Sequence, residues 1–200
     1  MRIFIALDTT DAIRQRIARF MDGVRGFAPD ARWVKPESLH VTLKFIGEKP
    51  ATAVEEIKRA LSSIRAEPVE LNFRGHGFFP TVNAARVFWI GIESGPKLAR
   101  LATAVDEAVK AVGIAPEERP FSPHLTLARR AGGSGAPRWH KGDSLNRDFR
   151  LLQEKLAALP SPEFGTMTAH EFFLYESRLR REGAQYIKIA NFALIDTLLS

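Results

Sequence analysis

His40-Val41-Thr42-Leu43 recurs further along the chain as His124-Leu125-Thr126-Leu127. Five His, ten Thr and 19 Leu among 200 residues give roughly 0.02 chance matches to His-x-Thr-Leu, so two matches mark a repeat. The surroundings agree. Each copy lies in a strand-like run, preceded by a Pro (Pro36, Pro123) and a Ser (Ser38, Ser122). In a strand, residues two apart share a face. His40 and Thr42 therefore project together, with Val41, Leu43 and Phe45 expected in the core. His124 and Thr126 likewise project together, over Leu125 and Leu127. If the chain is an internal duplication, the two strands face one another across a cleft, and two imidazoles and two hydroxyls converge.

The flanking sequence alternates strands and helices. Arg2–Leu7 reads as a first strand. Thr9 and Thr10 offer N-caps to a helix with Ile13, Ile17, Phe20 or Met21, and Val24 on its apolar face. Leu39–Ile46 reads as the second strand. Thr52 and Glu55 match a capping box ahead of a helix burying Val54, Ile57, Leu61 and Ile64. Val69, Leu71 and Phe73 alternate as a strand, and Val87–Ile92 reads as a central one. Ser94 and Pro96 fit the start of a helix striped by Leu98, Leu101, Val105, Val109 and Val112. Pro123–Ala128 is the strand of the second motif. Ser144 is a candidate cap for a helix reaching about Ala158. Phe172–Tyr175 and Tyr186–Phe192 read as strands joined by a turn at Arg181-Glu182-Gly183. The expectation is a mixed α/β chain with largely antiparallel sheets. No linker separates independent domains, so residues 1–200 are expected to form one domain.

Composition narrows the chemistry. The chain is 45% hydrophobic and 26% charged, an ordinary globular balance. It has no Cys, which excludes disulfides, thiolate catalysis and iron–sulfur clusters and fits a reducing cytoplasm. No apolar run approaches the ~20 residues of a membrane span. The apolar start is too short for a signal-peptide core. Net charge is +6, and Arg119, Arg129, Arg130, Arg138, Lys141, Arg147 and Arg150 against Asp143 and Asp148 concentrate it in one stretch. Such a stretch attracts polyanions, nucleic acid first among them. There is no phosphate-binding glycine loop of the P-loop or dinucleotide type.

Two imidazoles suit a reaction that removes one proton and delivers another, because His titrates near ~6.5. The hydroxyls of Thr42 and Thr126 can donate to phosphate oxygens as charge builds. Arg129 and Arg130, directly after the second motif, suit the same anion. A zinc site needs a third ligand, and neither motif has a neighbouring carboxylate or Cys. The combination points to phosphodiester chemistry without a metal or other cofactor. Trp33, Trp89 and Trp139 are weighed as base-stacking residues. Trp89 sits in an apolar run and is expected in the core. Tyr175 is a minor cleft candidate. His76, His140 and His170 lack a repeated context and are set aside.

At these residues the sequence resembles the two-histidine phosphoesterase superfamily, and within it the RNA 2′,3′-cyclic phosphodiesterases, also called 2′,5′ RNA ligases. Arg2–Leu7, Arg32-Trp33-Val34, Pro36–Glu48, Phe121–Arg129, Leu174–Ser177 and Tyr186 carry the likeness, while Gly75–Ala85 matches less clearly. The resemblance implies an α+β fold of two pseudo-symmetric lobes, each a mostly antiparallel sheet with helices outside, around a central cleft. It implies hydrolysis of a 2′,3′-cyclic phosphate to a 2′-phosphate, with His40 as proton donor and His124 as proton acceptor. The implied partner is RNA or an oligonucleotide with a cyclic phosphate end, with no obligate protein partner. A phosphodiesterase for a small nucleotide and a non-catalytic RNA- or nucleotide-binding module are the alternatives.

Overall fold

The computed structural model describes residues 1–131, 147–180 and 183–195. Nine strands among them form two antiparallel sheets. The first holds β1 (Arg2–Asp8), β3 (His40–Glu48), β8 (Glu171–Arg180) and β9 (Gly183–Ala193), in the order β3-β1-β8-β9. The second holds β2 (Arg32–Trp33), β4 (Val69–Phe79), β5 (Val87–Glu93), β6 (His124–Arg129) and β7 (Glu163–Ala169), in the order β2-β6-β5-β4-β7. Four α-helices, α1 (Asp11–Val24), α2 (Ala51–Ser62), α3 (Pro96–Lys110) and α4 (Arg147–Ala157), and two short 3-10 turns at Arg25–Phe27 and Pro36–Ser38 complete the described chain. This is the two-lobed α+β architecture expected from the sequence.

The helices bury most of the expected stripes, but Ile64 and Val112 lie past the ends of α2 and α3 and are only partly buried. Ile13, Ile17, Met21 and Val24 are buried on α1, with Phe20 packed partly against the core. Val54, Ile57 and Leu61 are buried on α2, and Leu98, Leu101, Ala102, Val105 and Val109 on α3. Each buried aliphatic side chain contributes roughly 1.5–3 kcal/mol. The lobes interlock through these faces. Helix α1 follows a strand of the first sheet but packs on β7 of the second, and α3 follows β5 yet packs on β3.

Capping differs from expectation at two helices. Thr10 caps α1 as expected, its hydroxyl accepting from the Ile13 N–H. Helix α2 begins one residue before Thr52, with Pro50 at the cap position and no side-chain cap. Thr52 is thus already helical and cannot close a capping box. At α3 the cap is Gly95 rather than Ser94, with Pro96 in the first turn. Ser144, Trp139, His140 and the turn residues Arg181 and Glu182 lie outside the described residues, as do Arg138 and Lys141 of the basic stretch.

The repeat is structural as well as sequential. In the first sheet Asp8, Leu7 and Ala6 pair with His40, Val41 and Thr42, and Ile5 and Phe4 with Lys44 and Phe45. In the second, Gly91, Ile90 and Trp89 pair with His124, Leu125 and Thr126, and Phe88 and Val87 with Ala128 and Arg129. Each motif strand carries one extra residue, Leu43 or Leu127, at the same place. A bulge of this kind puts two consecutive residues on one face and reverses the alternation beyond it. Leu43 and Lys44 are both buried, and so are Leu127 and Ala128. Phe45 and Arg129 consequently rejoin the face that carries the imidazoles. This overturns the core placement of Phe45, which is 58% exposed.

Candidate active site

Strands β3 and β6 face one another across the lobes, in contact between sheets. Their His and Thr side chains occupy one face of each strand, half-buried over fully buried Val41 and Leu125. The histidines are held alike. His40 Nδ1 lies 2.7 Å from the Ser38 carbonyl, and His124 Nδ1 lies 2.8 Å from the Ser122 carbonyl. A carbonyl oxygen only accepts, so each Nδ1 carries the proton and donates it. Each Nε2 is left to take up or release a proton. The serines two residues before each motif thus act through their backbone, a role their side-chain chemistry does not announce.

Burial sets the resting charge. It lowers His40 to about 4, with Arg129 and His124 pressing the same way and the Ser38 carbonyl and Asp8 opposing. Burial also lowers His124, with Arg129 adding to it and the Ser122 carbonyl opposing. Near pH 7 both imidazoles are therefore neutral. Arg129 acts on both histidines, so its guanidinium charge is felt in both half-sites. It is itself largely desolvated, with Tyr186 favouring its charge and Arg2 opposing it. Arg130 lies just beyond the end of β6, its backbone N–H donating to the Arg86 carbonyl at 2.8 Å. Of the two neighbouring arginines, the bulge turns Arg129 to the cleft.

Aromatic rings line both walls. On the first sheet Phe4 lies 4.8 Å from the His40 ring and stacks on Tyr175 at 5.1 Å, with Tyr186 5.1 Å from His40. Burial pushes the Tyr175 phenol up, so it stays neutral. On the second sheet Phe79 meets His124 edge-on at 4.9 Å and stacks on Trp89 at 4.9 Å. Trp89 is half-buried on the Thr126 face, which corrects its expected place in the core. Its indole lies flat on Gly77, where a Cβ would sit 2.2 Å from a ring carbon. Trp33 packs on Phe88 at 6.0 Å and donates its N–H to Ala28, away from the motifs. His76 faces Phe78 and Phe88 on the opposite side of the sheet from Trp89. Among the described residues, no three His, Asp or Glu side chains gather as a metal-ion cage, and no helix is long and apolar enough to cross a membrane.

Phe4, Asp8, Phe45, Phe79 and Tyr186 were missed as cleft residues by motif reading. Their signal was available only through pairing: each sits across from, or on the same face as, a motif residue.

The arrangement is one that has been seen before. The chain is 33% identical over 198 residues to the RNA 2′,3′-cyclic phosphodiesterase of Methanothermobacter thermautotrophicus, covering 97% of this chain and 99% of that one. It is 31% identical over 186 residues to the protein of the same name from Archaeoglobus fulgidus, covering 93% and 96%. Its fold superposes on E. coli LigT complexed with 3′-AMP with a TM-score of 0.75, at 26% identity and 98% coverage of both chains. The model of the LigT-like phosphoesterases matches twice, at residues 7–89 and 90–186, one match for each half of the repeat. With both halves matched, this chain belongs to the LigT-like phosphoesterase family.

Proposed function

We propose that this chain is an RNA 2′,3′-cyclic phosphodiesterase that uses His40 and His124 as an acid/base pair. The observation that supports it most is the matched tethering of both Nδ1 atoms, which leaves two Nε2 atoms for proton transfer, with the charge of Arg129 acting on both rings. A cyclic phosphate brings one negative charge. That charge offsets Arg129 and favours a proton on one of the two imidazoles, which is how a site with two neutral histidines becomes competent on binding. His124 Nε2 takes a proton from water as the oxygen attacks phosphorus in line. The bond from phosphorus to the 3′ oxygen breaks, and His40 Nε2 gives that oxygen its proton. The product is a 2′-phosphomonoester. Thr42 and Thr126 donate to the non-bridging oxygens, and Arg129, with Arg130 as the neighbouring alternative, neutralises their charge. A 5′-hydroxyl in place of water makes a 2′,5′ linkage by the same transfers.

The test is hydrolysis of an oligonucleotide with a 2′,3′-cyclic phosphate end and of a 2′,3′-cyclic mononucleotide, each in EDTA. A 2′-phosphate product is expected. His40→Ala and His124→Ala should each lower turnover by about 10²-fold or more, with substrate binding within a few-fold. Near-wild-type turnover in either variant, or loss of activity to EDTA restored by a divalent ion, overturns the scheme.

A further inference from the structure

We propose that Asp8 directs the proton to His40 rather than His124, acting as a positioning residue through its charge; this rests on the acid/base reading above. The repeat makes the two half-sites alike: same motif, same carbonyl tether, same bulge. During the reaction one imidazole holds a proton while the other lacks one, and a fixed charge outside the motifs biases which. The paired positions show the difference. Directly across from His40 stands Asp8 on β1, and the matching position across from His124 is Gly91 on β5. His40 is paired with an acidic residue, and the position paired with His124 has no side chain at all.

Asp8 is held in place. Its Oδ1 accepts from the Thr9 N–H at 2.8 Å and from Arg14 Nη2 at 2.9 Å, and its Oδ2 accepts from Lys188 Nζ at 2.5 Å. Lys188 in turn lies 3.9 Å over the Phe173 ring. The charged and titratable groups around His40 come from every neighbouring strand: Asp8 on β1, Arg129 and His124 on β6, Tyr175 on β8, and Tyr186 and Lys188 on β9. Among those acting on His40, Arg129 and His124 disfavour a proton there, and Asp8 is the carboxylate that favours one. Among the described residues no carboxylate acts on His124 in this way. Even with Asp8 opposing it, burial depresses His40 to about 4, so a proton there is costly and the carboxylate offsets part of that cost. A fixed anion at that imidazole answers the need where it arises.

Asp8→Asn keeps the shape and removes the charge. Histidine ring signals are followed by NMR through a pH titration, in the free protein and with 2′-AMP bound. With 2′-AMP, His40 is expected to titrate above His124 in the wild type. Asp8→Asn should lower His40 by about half a unit to one unit and move His124 far less. Turnover at pH 7 should fall about 3–10-fold with KM unchanged or lower, because Arg14 and Lys188 are freed to attract the anion. Lys188→Met is the second variant and does not depend on Asp8→Asn folding. Lys188 is 44% exposed, and its loss leaves Asp8 less neutralised, so His40 should rise. Unchanged His40 titration in either variant, or equal shifts at both histidines, overturns the role of Asp8. If instead the wild type cleaves no cyclic phosphate and neither histidine responds to 2′-AMP, the phosphodiesterase reading fails, while the free-protein titration still decides on Asp8.

Discussion

At the scale of single residues, the proposed chemistry asks two things of each motif: an imidazole with a fixed tautomer and a hydroxyl beside it. Thr42 and Thr126 are the sharper test, because Thr is also a good strand former. Thr42→Val and Thr126→Val keep the shape and remove the donor. Turnover should fall roughly 10–10³-fold for each, as for one lost oxyanion donor, while the melting temperature holds or rises. Full activity in a Val variant removes that hydroxyl from the mechanism and leaves the histidines standing. The histidines also bear on stability. Burial lowers His40 to about 4 and lowers His124 too, so between about pH 4 and 6.5 the unfolded chain binds more protons than the folded one. Stability contributed by the neutral rings is therefore present above pH ~6.5 and lost as pH falls toward 4. Denaturant melts at pH 7 and pH 5 should differ by about 2 kcal/mol more in the wild type than in His40→Asn.

At the scale of elements, the bulges matter more than the strands they interrupt. Leu43 and Leu127 each add one residue, and the residue five positions after each His returns to the cleft face. The two halves then diverge. One presents the phenyl ring of Phe45 and the other the guanidinium of Arg129. The buried residue of each bulge differs as well: Ala128 in β6, and in β3 Lys44, which is 4% exposed. Lys44 Nζ is ion-paired with Asp106 on α3 and donates to the Ala115 carbonyl at 2.8 Å. Asp106 also accepts from the Glu117 N–H at 3.1 Å. This knot ties the first motif's strand to the segment that leads into the second motif. Removing one partner of a buried pair leaves the other uncompensated. Lys44→Ala should cost about 3 kcal/mol, a drop of roughly 6–12 °C in a chain of this size by calorimetry. A loss under ~1 kcal/mol shows that water replaces the ammonium and the tie is weak.

At the scale of the whole molecule, duplication explains how one chain brings two copies of a motif face to face. Each half contributes one motif strand, and each half's first helix packs on the other half's sheet or strand. The lobes are thereby locked together through α1 and α3. Charge at this scale concerns the length of the substrate. The excess of cations, +6 over the chain, attracts a long anion more than a short one. KM for an RNA oligonucleotide ending in a cyclic phosphate should rise with salt more steeply than KM for a 2′,3′-cyclic mononucleotide, because each phosphate contact releases counterions. Equal salt slopes favour a small nucleotide as the substrate.

The sequence by itself determined the motif pair, the strands that carry it, the apolar faces of α1 to α3 and the alternation of helices with largely antiparallel strands. These are legible because they depend on neighbours along the chain: period two, period 3.6, and a repeated tetrapeptide. Only the tertiary structure decided which residues share the cleft. Phe45 was misplaced because strict alternation does not foresee an extra residue, and a bulge reveals itself only against the partner strand. Trp89 was misplaced because every residue of Val87–Ile92 is apolar or Gly, so the run carries no sign of which face is wet. Asp8 lies next to His40 for the same kind of reason: strand pairing joins residues far apart in sequence, and no local pattern encodes its register.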